Sequence, residues 1–157
     1  MKKTLFLLSI VAFSLNANAQ QYKRGFRLGF GINGGLPTDS EKYEGALGAD
    51  IRLQHDFTAK TSMTLTTGYN HLFVKGDDQG FVPLKLGAKF FLNKNLYAQG
   101  EAGVGFGVSN DLGNTLILSP SFGFANKYID VSLRYENYNN YHTDQIGLRI
   151  AYGFSLK

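Results

Sequence analysis

The feature that most constrains this chain is a period-two alternation of bulky apolar residues with small or polar ones. In the run 145–157 every even position is aliphatic or aromatic, and the odd positions are small or polar. The run 25–33 alternates in the same way. Successive side chains of a strand point to opposite faces, so this pattern predicts β-strands and excludes amphipathic helices. Six further runs, 46–56, 61–74, 81–92, 96–107, 115–125 and 128–137, bring the total to eight predicted strands.

The links between these strands are of two kinds that alternate strictly along the chain. The links 56–60, 93–95 and 126–127 are short, whereas 34–44, 75–80, 108–114 and 139–144 are longer and rich in Gly, Asn and Asp. All short links therefore fall at one end of an antiparallel sheet and all long links at the other. This layout predicts an all-β fold, an eight-stranded antiparallel up-and-down β-barrel.

The two faces of the strands differ in the size of their side chains, and this difference indicates which face points into lipid and which into the lumen. One face carries Phe, Tyr, Leu and Ile without any charge, and the other carries many of the 19 glycines. Small residues fit the concave side of a barrel, where side chains converge, so we expect the bulky face to point outward into lipid. A lipocalin-like barrel would have the reverse arrangement. The 18% charged residues, against about 25% in soluble domains, agree with a transmembrane barrel.

The N-terminus has the pattern of a secretory signal peptide. Lys2 and Lys3 precede the apolar run 5–15, which is followed by Ala17 and Ala19 in a small-x-small arrangement. An eleven-residue helix spans only about 16 Å, too little for a bilayer core of about 30 Å. We therefore predict a cleaved signal peptide at 1–19 and a barrel domain at 20–157, with export from the cytoplasm.

Composition excludes several function classes. The chain has no cysteine, which excludes disulfides, thiolate catalysis and cysteine-ligated zinc. Without the two signal lysines, 14 basic and 12 acidic residues leave a net charge of +2. This small excess gives no reason to expect binding of nucleic acid.

The inward face of the predicted barrel carries ten charged residues, six basic and four acidic. Unpaired buried charges cost several kcal/mol, so we expect these groups to pair in a lumen that eight strands leave only wide enough for side chains. The alternative is a narrow path for ions or small solutes. The predicted lumen network consists of Arg27, Asp50, Arg52, Lys85, Lys89, Glu101, Asp130, Arg134, Glu136 and Arg149.

The remaining charges are segregated between the two ends of the barrel. The long-loop end has seven acidic residues against Lys42 and Lys75, a net charge of −5, and the short-turn end has a net charge of +5. We expect the acidic residues to be solvated; bridging to anionic lipopolysaccharide through divalent cations is the alternative. This acidic rim consists of Asp39, Glu41, Glu44, Asp77, Asp78, Asp111 and Asp144.

Three stretches give the chain a resemblance to a known family. Together with the signal peptide, the segments 82–92 (VPLKLGAKFFL), 97–105 (YAQGEAGVG) and 146–154 (IGLRIAYGF) resemble small Gram-negative outer-membrane β-barrel proteins of the OmpX/OmpA type. The resemblance implies residence in the cell outer membrane, contact with lipid and lipopolysaccharide, and insertion by the barrel-assembly machinery. It implies no cofactor and no metal, and we expect a monomer.

Some enzymes that modify lipid A use barrels of this size, with a His and a Ser, Asp or Glu at the outer rim. The candidates here are the two histidines predicted near that rim and three possible partners, but the His-x-Ser pattern of the deacylases is not met. We therefore predict a structural or interaction protein, with a narrow pore and then a lipid A-modifying enzyme as alternatives. The candidate catalytic residues are His71, His142, Ser109, Glu136 and Asp144.

Pro120 is unusual because it falls on the lipid-facing register of the predicted sixth strand. Proline has no N–H for the strand ladder, and a closed barrel has no edge to accommodate it. We expect a β-bulge at this position; a lateral opening of the wall is the alternative.

Overall fold

The computed structural model describes residues 25–38, 43–75, 79–108 and 112–156, and they form a single closed β-barrel. Each strand pairs antiparallel with its neighbours in sequence, and the last strand pairs with the first, which confirms the predicted fold class. The predicted signal peptide lies outside the described residues. The strands are β1 Gly25–Pro37, β2 Tyr43–Asp56, β3 Thr61–Val74, β4 Gln79–Phe91, β5 Leu96–Gly107, β6 Thr115–Ala125, β7 Ile129–Tyr138 and β8 Thr143–Ser155.

A single turn of 3-10 helix, Asn139–Tyr141, lies between β7 and β8. No helix in the described part of the chain is long and apolar enough to cross a membrane.

The strand bounds follow the sequence pattern closely except where glycine interrupts it. β3, β5 and β6 begin and end at the predicted residues. The sequence pattern predicts that β1 ends at Asn33, but the strand continues to Pro37, because Gly34 and Gly35 pair with Leu148 and Gly147 of β8. Backbone pairing across the closing seam keeps these glycines extended although they have no side chain that contributes to an alternating pattern.

The three short turns share one side-chain-to-backbone hydrogen-bond pattern. In each turn, a side-chain oxygen accepts hydrogen bonds from the amides two and three residues further on. Thr58 does this between β2 and β3, Asn93 between β4 and β5, and Asn126 between β6 and β7, at 2.8–3.1 Å. Asx and ST turns of this kind explain why Asn and Thr occur in these links.

The outward face is apolar over the middle of every strand. Phe30 is 48% exposed, Leu84 46% and Leu148 50%, values that large apolar side chains have on a surface rather than in a core. Among the described strand residues, Asp144 is a charge on the outward face and Glu44 is an exposed charge at the irregularity that begins β2, both at the long-loop ends of their strands. The barrel therefore presents an uncharged apolar band between its two ends, as a lipid-facing wall requires.

The β6–β7 ladder is interrupted beside Pro120, but without a bulge. Leu118 pairs with Asn137 and Ser121 pairs with Arg134, so the register is the same on both sides of the proline. The two residue pairs between them are missing, as expected where one residue cannot donate an N–H. The predicted bulge is wrong because the ladder omits two pairs instead of inserting a residue.

Candidate functional site in the barrel lumen

The lumen holds the charged side chains that alternate with the lipid-facing ones. Nine of the ten residues assigned to the inner face are linked by ion pairs of 4.0 Å or less into one connected set, which we call the lumen network. These nine residues lie on five strands, β2, β4, β5, β7 and β8. The network comprises Asp50, Arg52, Lys85, Lys89, Glu101, Asp130, Arg134, Glu136 and Arg149.

Glu101 is the central acid of the lumen network. Its carboxylate accepts hydrogen bonds from Nη2 of Arg52 at 3.1 and 3.2 Å and from Oγ1 of Thr66 at 2.7 Å. Nζ of Lys85 and Nη2 of Arg134 each lie 3.9 Å from Oε2 of the same carboxylate. One buried acid thus faces three cations, so its charge is needed to keep them together.

Glu136 is the acid nearest the long-loop end of the network. Lys85 donates to its Oε1 at 2.5 Å and Ser119 at 3.1 Å, and the Tyr138 hydroxyl donates to Oε2 at 2.7 Å. Nη1 of Arg134 lies 3.5 Å from Oε1. These donors satisfy the carboxylate with protein groups alone.

Asp130 holds the end of the network that faces the short turns. Its carboxylate accepts from Nζ of Lys89 at 2.6 Å and from the hydroxyl of Tyr97 at 2.5 Å. The same ammonium lies 3.8 Å from the centroid of the Tyr97 ring, a cation–π contact. Asp50 is paired with Arg149, whose Nε donates to Oδ2 at 2.8 Å.

Arg27 is the member of the predicted set that the structure places elsewhere. It lies half-buried at the short-turn end, and its Nη2 donates to the backbone carbonyls of Asn126 and Lys127 at 3.3 and 2.7 Å. The guanidinium therefore fastens β1 to the turn between β6 and β7 rather than pairing with an acid.

An apolar layer closes the lumen at the long-loop end, and the sequence analysis missed it. The Phe81 ring lies edge-on to the rings of Tyr138 and Tyr141, with centroids 5.3 and 5.8 Å apart. The 3-10 helix carries Tyr141, whose hydroxyl donates to the carbonyl of Gly113 at 2.8 Å and so ties together two long loops. We call this layer the aromatic cap; its buried members are Ala46, Leu72, Phe81, Ile117, Tyr138 and Tyr141.

A signal for the aromatic cap exists in the sequence. Leu72 follows inward-facing Asn70 by two residues, and Phe81 precedes inward-facing Lys85 by four, so both fall on the polar register. An apolar residue near the long-loop end of an otherwise polar register indicates a plug across the lumen.

Two of the seven acidic rim residues belong to the described residues. Glu44 is exposed, and Asp144 is half-buried, accepting a hydrogen bond of 2.5 Å from Nδ2 of Asn137. The other five, Asp39, Glu41, Asp77, Asp78 and Asp111, lie outside them.

The candidate catalytic residues lie on different sides of the barrel wall. His71 is on the outward face, with its Nδ1 3.5 Å from the Tyr69 hydroxyl and its ring 4.8 Å from that of Phe73. Glu136 points into the lumen, so the wall separates it from His71.

The remaining candidates are in the last long loop or outside the described residues. His142 is exposed and has a left-handed backbone, with φ of 53°. Asp144 faces outward on β8, and Ser109 is not among the described residues. No group of three His, Asp or Glu side chains in the described part of the chain is placed to hold a metal ion.

Comparison with solved structures gives a consistent result at low sequence identity. The N-terminal β-barrel domain of OprF from Pseudomonas aeruginosa has a TM-score of 0.63 at 11% identity, and covers 84% of this chain and 100% of that one. Ail, the attachment invasion locus protein of Yersinia pestis, gives 0.59 at 13% identity with the same coverage. OprG from Pseudomonas aeruginosa gives 0.52 at 15% identity, over 88% of this chain and 100% of that one.

The chain has the fold of the small outer-membrane β-barrels. This confirms the resemblance drawn from the sequence, since the neighbours are barrels of that class. No family model and no curated protein matches the chain.

Proposed function

We propose that this protein resides in the outer membrane as an integral β-barrel with a structural or interaction role, without catalytic activity and without an open pore. The uncharged outward band supports membrane residence, because a Lys or Arg at the bilayer midplane costs about 2–4 kcal/mol in such barrels. The fold shared with outer-membrane barrels supports the same location.

The observation that carries the proposal is the filled lumen. Side chains of the lumen network such as Lys85 and Arg149 are 2% and 1% exposed, and in the aromatic cap Phe81 and Leu72 are 0% exposed. A path that conducts ions would leave its lining in contact with water along its whole length. Two consecutive layers, one of paired charges and one of packed rings, occupy the lumen instead.

The partners on this proposal are membrane lipid and lipopolysaccharide around the barrel, and the barrel-assembly machinery during insertion. Glu44 at the exposed rim supports solvated acidic loops on the outer side. We propose a monomer, since the described strands present an uncharged apolar band between the two ends of the barrel.

Planar-bilayer recording of the refolded full chain tests the proposal. We expect no steady current from the wild type, because both layers obstruct the lumen. A triple variant, Phe81→Ala/Lys85→Ala/Glu136→Ala, removes one cap ring and one complete ion pair, and we expect it to conduct. The matched control is Phe90→Ala on the outward face of β4, which should stay silent.

Each variant must first be shown to be folded, by far-UV circular dichroism and by the difference in electrophoretic mobility between heated and unheated samples. Steady ohmic current from folded wild-type protein would overturn the proposal that the lumen is obstructed and would favour the narrow pore.

A further inference from the structure

Each of the three short turns carries one exposed lysine and no acidic residue. None of the three ammonium groups forms an ion pair with an acid in the described part of the chain. Asp56, the acid that precedes the first turn, accepts hydrogen bonds of 2.6 Å from two side chains of β2 and β3. The turns 57–60, 92–95 and 126–128 thus present positive charge, carried by Lys60, Lys94 and Lys127.

An exposed apolar side chain accompanies the lysine in each turn. The three side chains, with exposed fractions of 45%, 64% and 46%, are Phe57, Leu92 and Tyr128. The Phe57 ring lies 4.6 Å from the ring of outward-facing His55, and the Tyr128 ring stacks on that of outward-facing Tyr152 at 5.9 Å. Leu92 follows outward-facing Phe90 by two residues. The lipid-facing wall therefore continues into the turns and reaches the level of the lysines.

A lysine beside an apolar side chain suits the boundary between hydrocarbon and lipid headgroups. Its methylene stem lies along apolar surface while its ammonium group reaches the polar layer. In the last turn, Nζ of Lys127 lies 5.2 Å from the centroid of the Tyr128 ring, a cation–π contact. Aromatic residues of membrane barrels gather at the same boundary. The ammonium groups are therefore placed at the depth of the lipid phosphates.

The spacing of the three lysines excludes a single small anion as their common partner. Consecutive short turns are two strands apart, and neighbouring strands lie about 5 Å apart, so the turns are separated by about 10 Å. Lys60 and Lys127, in the first and last of these turns, lie on opposite sides of the barrel mouth. A partner of all three must itself be an extended layer of negative charge.

We propose that the three short turns bind the headgroups of anionic phospholipids in the leaflet around them. Each lysine meets a lipid phosphate, and the apolar side chain of the same turn meets the hydrocarbon beside it. The inference rests on the membrane residence proposed above. An acidic protein or a free phosphate ion would use the ammonium groups alone and leave the three apolar side chains in water.

Electron paramagnetic resonance of spin-labelled lipids tests this proposal, with the refolded full chain in phosphatidylcholine vesicles. The spectra give the fraction of labelled phosphatidylglycerol or labelled phosphatidylcholine that is immobilised against the barrel. A basic residue at a membrane surface favours an anionic lipid by about fivefold in association constant. We therefore expect the wild type to associate more strongly with phosphatidylglycerol. At about 1 M salt, where the screening length is about 3 Å, the preference should fall.

Lys60→Gln/Lys94→Gln/Lys127→Gln should bring the association constants of the two lipids close to equality. Replacing the same three lysines with arginine keeps the charge and should keep the preference. The control for position is Lys42→Gln/Lys75→Gln, which removes two charges at the long-loop end and should also keep it. If the triple Gln variant does not fold, the three single Lys→Gln variants should each lower the preference in part.

Equal association of the two lipids with folded wild-type protein would overturn the proposal and point to a different partner for the turns. A preference that is unchanged in the Gln variants, or is lost in Lys42→Gln/Lys75→Gln, would overturn it as well. Folding is checked separately, by the electrophoretic mobility of heated and unheated samples. A chain that folds in no vesicle would contradict membrane residence itself and this inference with it, whereas a folded barrel without lipid preference contradicts only this inference.

Discussion

At the residue scale, Glu101 is placed to hold the barrel together from the inside. Its side chain is 0% exposed and faces three cations. Glu101→Gln keeps the size but removes the charge, which leaves buried cations uncompensated. We expect the free energy of unfolding in lipid vesicles to fall by about 3–5 kcal/mol, measured by urea titration.

The control for this prediction is Glu44→Gln at the exposed rim, which should change the same free energy by no more than about 0.5 kcal/mol. Equal effects of the two substitutions would mean that the lumen is hydrated and that its charges are not paired at a low dielectric.

Gly103 and Gly100 lie on the same strand, β5, but only one of them must be glycine. A Cβ on Gly103 would collide with the backbone carbonyl of Leu84 and lie 2.6 Å from Cα of Lys85, whereas one on Gly100 meets nothing within 4 Å. We expect Gly103→Ala to lower the free energy of unfolding by at least about 1–3 kcal/mol, the usual cost of overpacking. Gly100→Ala should be close to neutral, and the reverse order would contradict the close approach of β4 and β5.

At the scale of the element, β8 tests which face of a strand meets lipid. Leu148 is outward in the middle of the strand, and Leu156 lies just beyond its short-turn end. Leu148→Arg should make folding into bilayers less favourable by about 2–4 kcal/mol, and Leu156→Arg by about 0–1 kcal/mol, because the cost depends on depth. Vesicle folding titrations check both. A harmless Leu148→Arg would mean that the faces are inverted.

For the whole molecule, the alternation of long and short links predicts which end of the barrel faces the outside of the cell. Trypsin added to intact cells should cut the long loops after Lys42 or Lys75, because that end faces outward in barrels of this layout. Lys60, Lys94 and Lys127, in the short turns, should become accessible only after the outer membrane is permeabilised. Mass spectrometry of the released peptides identifies the cut sites. Cleavage after Lys94 in intact cells would contradict this orientation.

The sequence by itself determined the strands and their faces, because both are local. Strand period and side-chain alternation depend on neighbouring residues, and the turns depend on single side chains such as Asn93 and Asn126. The narrow lumen of an eight-stranded barrel then leaves little choice of faces, since it is only wide enough for side chains and cannot hold the bulky face.

Only the tertiary structure decided which lumen residues meet, because pairing across a closed barrel depends on the register of every strand around it. Arg149 and Asp50 are 99 residues apart in sequence yet bond over Gly31 of β1, the strand that pairs with both of theirs. Arg27, on the inward register of β1, reaches only backbone carbonyls at the barrel end. The aromatic cap follows the same rule. Phe81 and Tyr141 lie on different segments, and it is closure of the barrel that packs one ring against the other and determines that the lumen is filled.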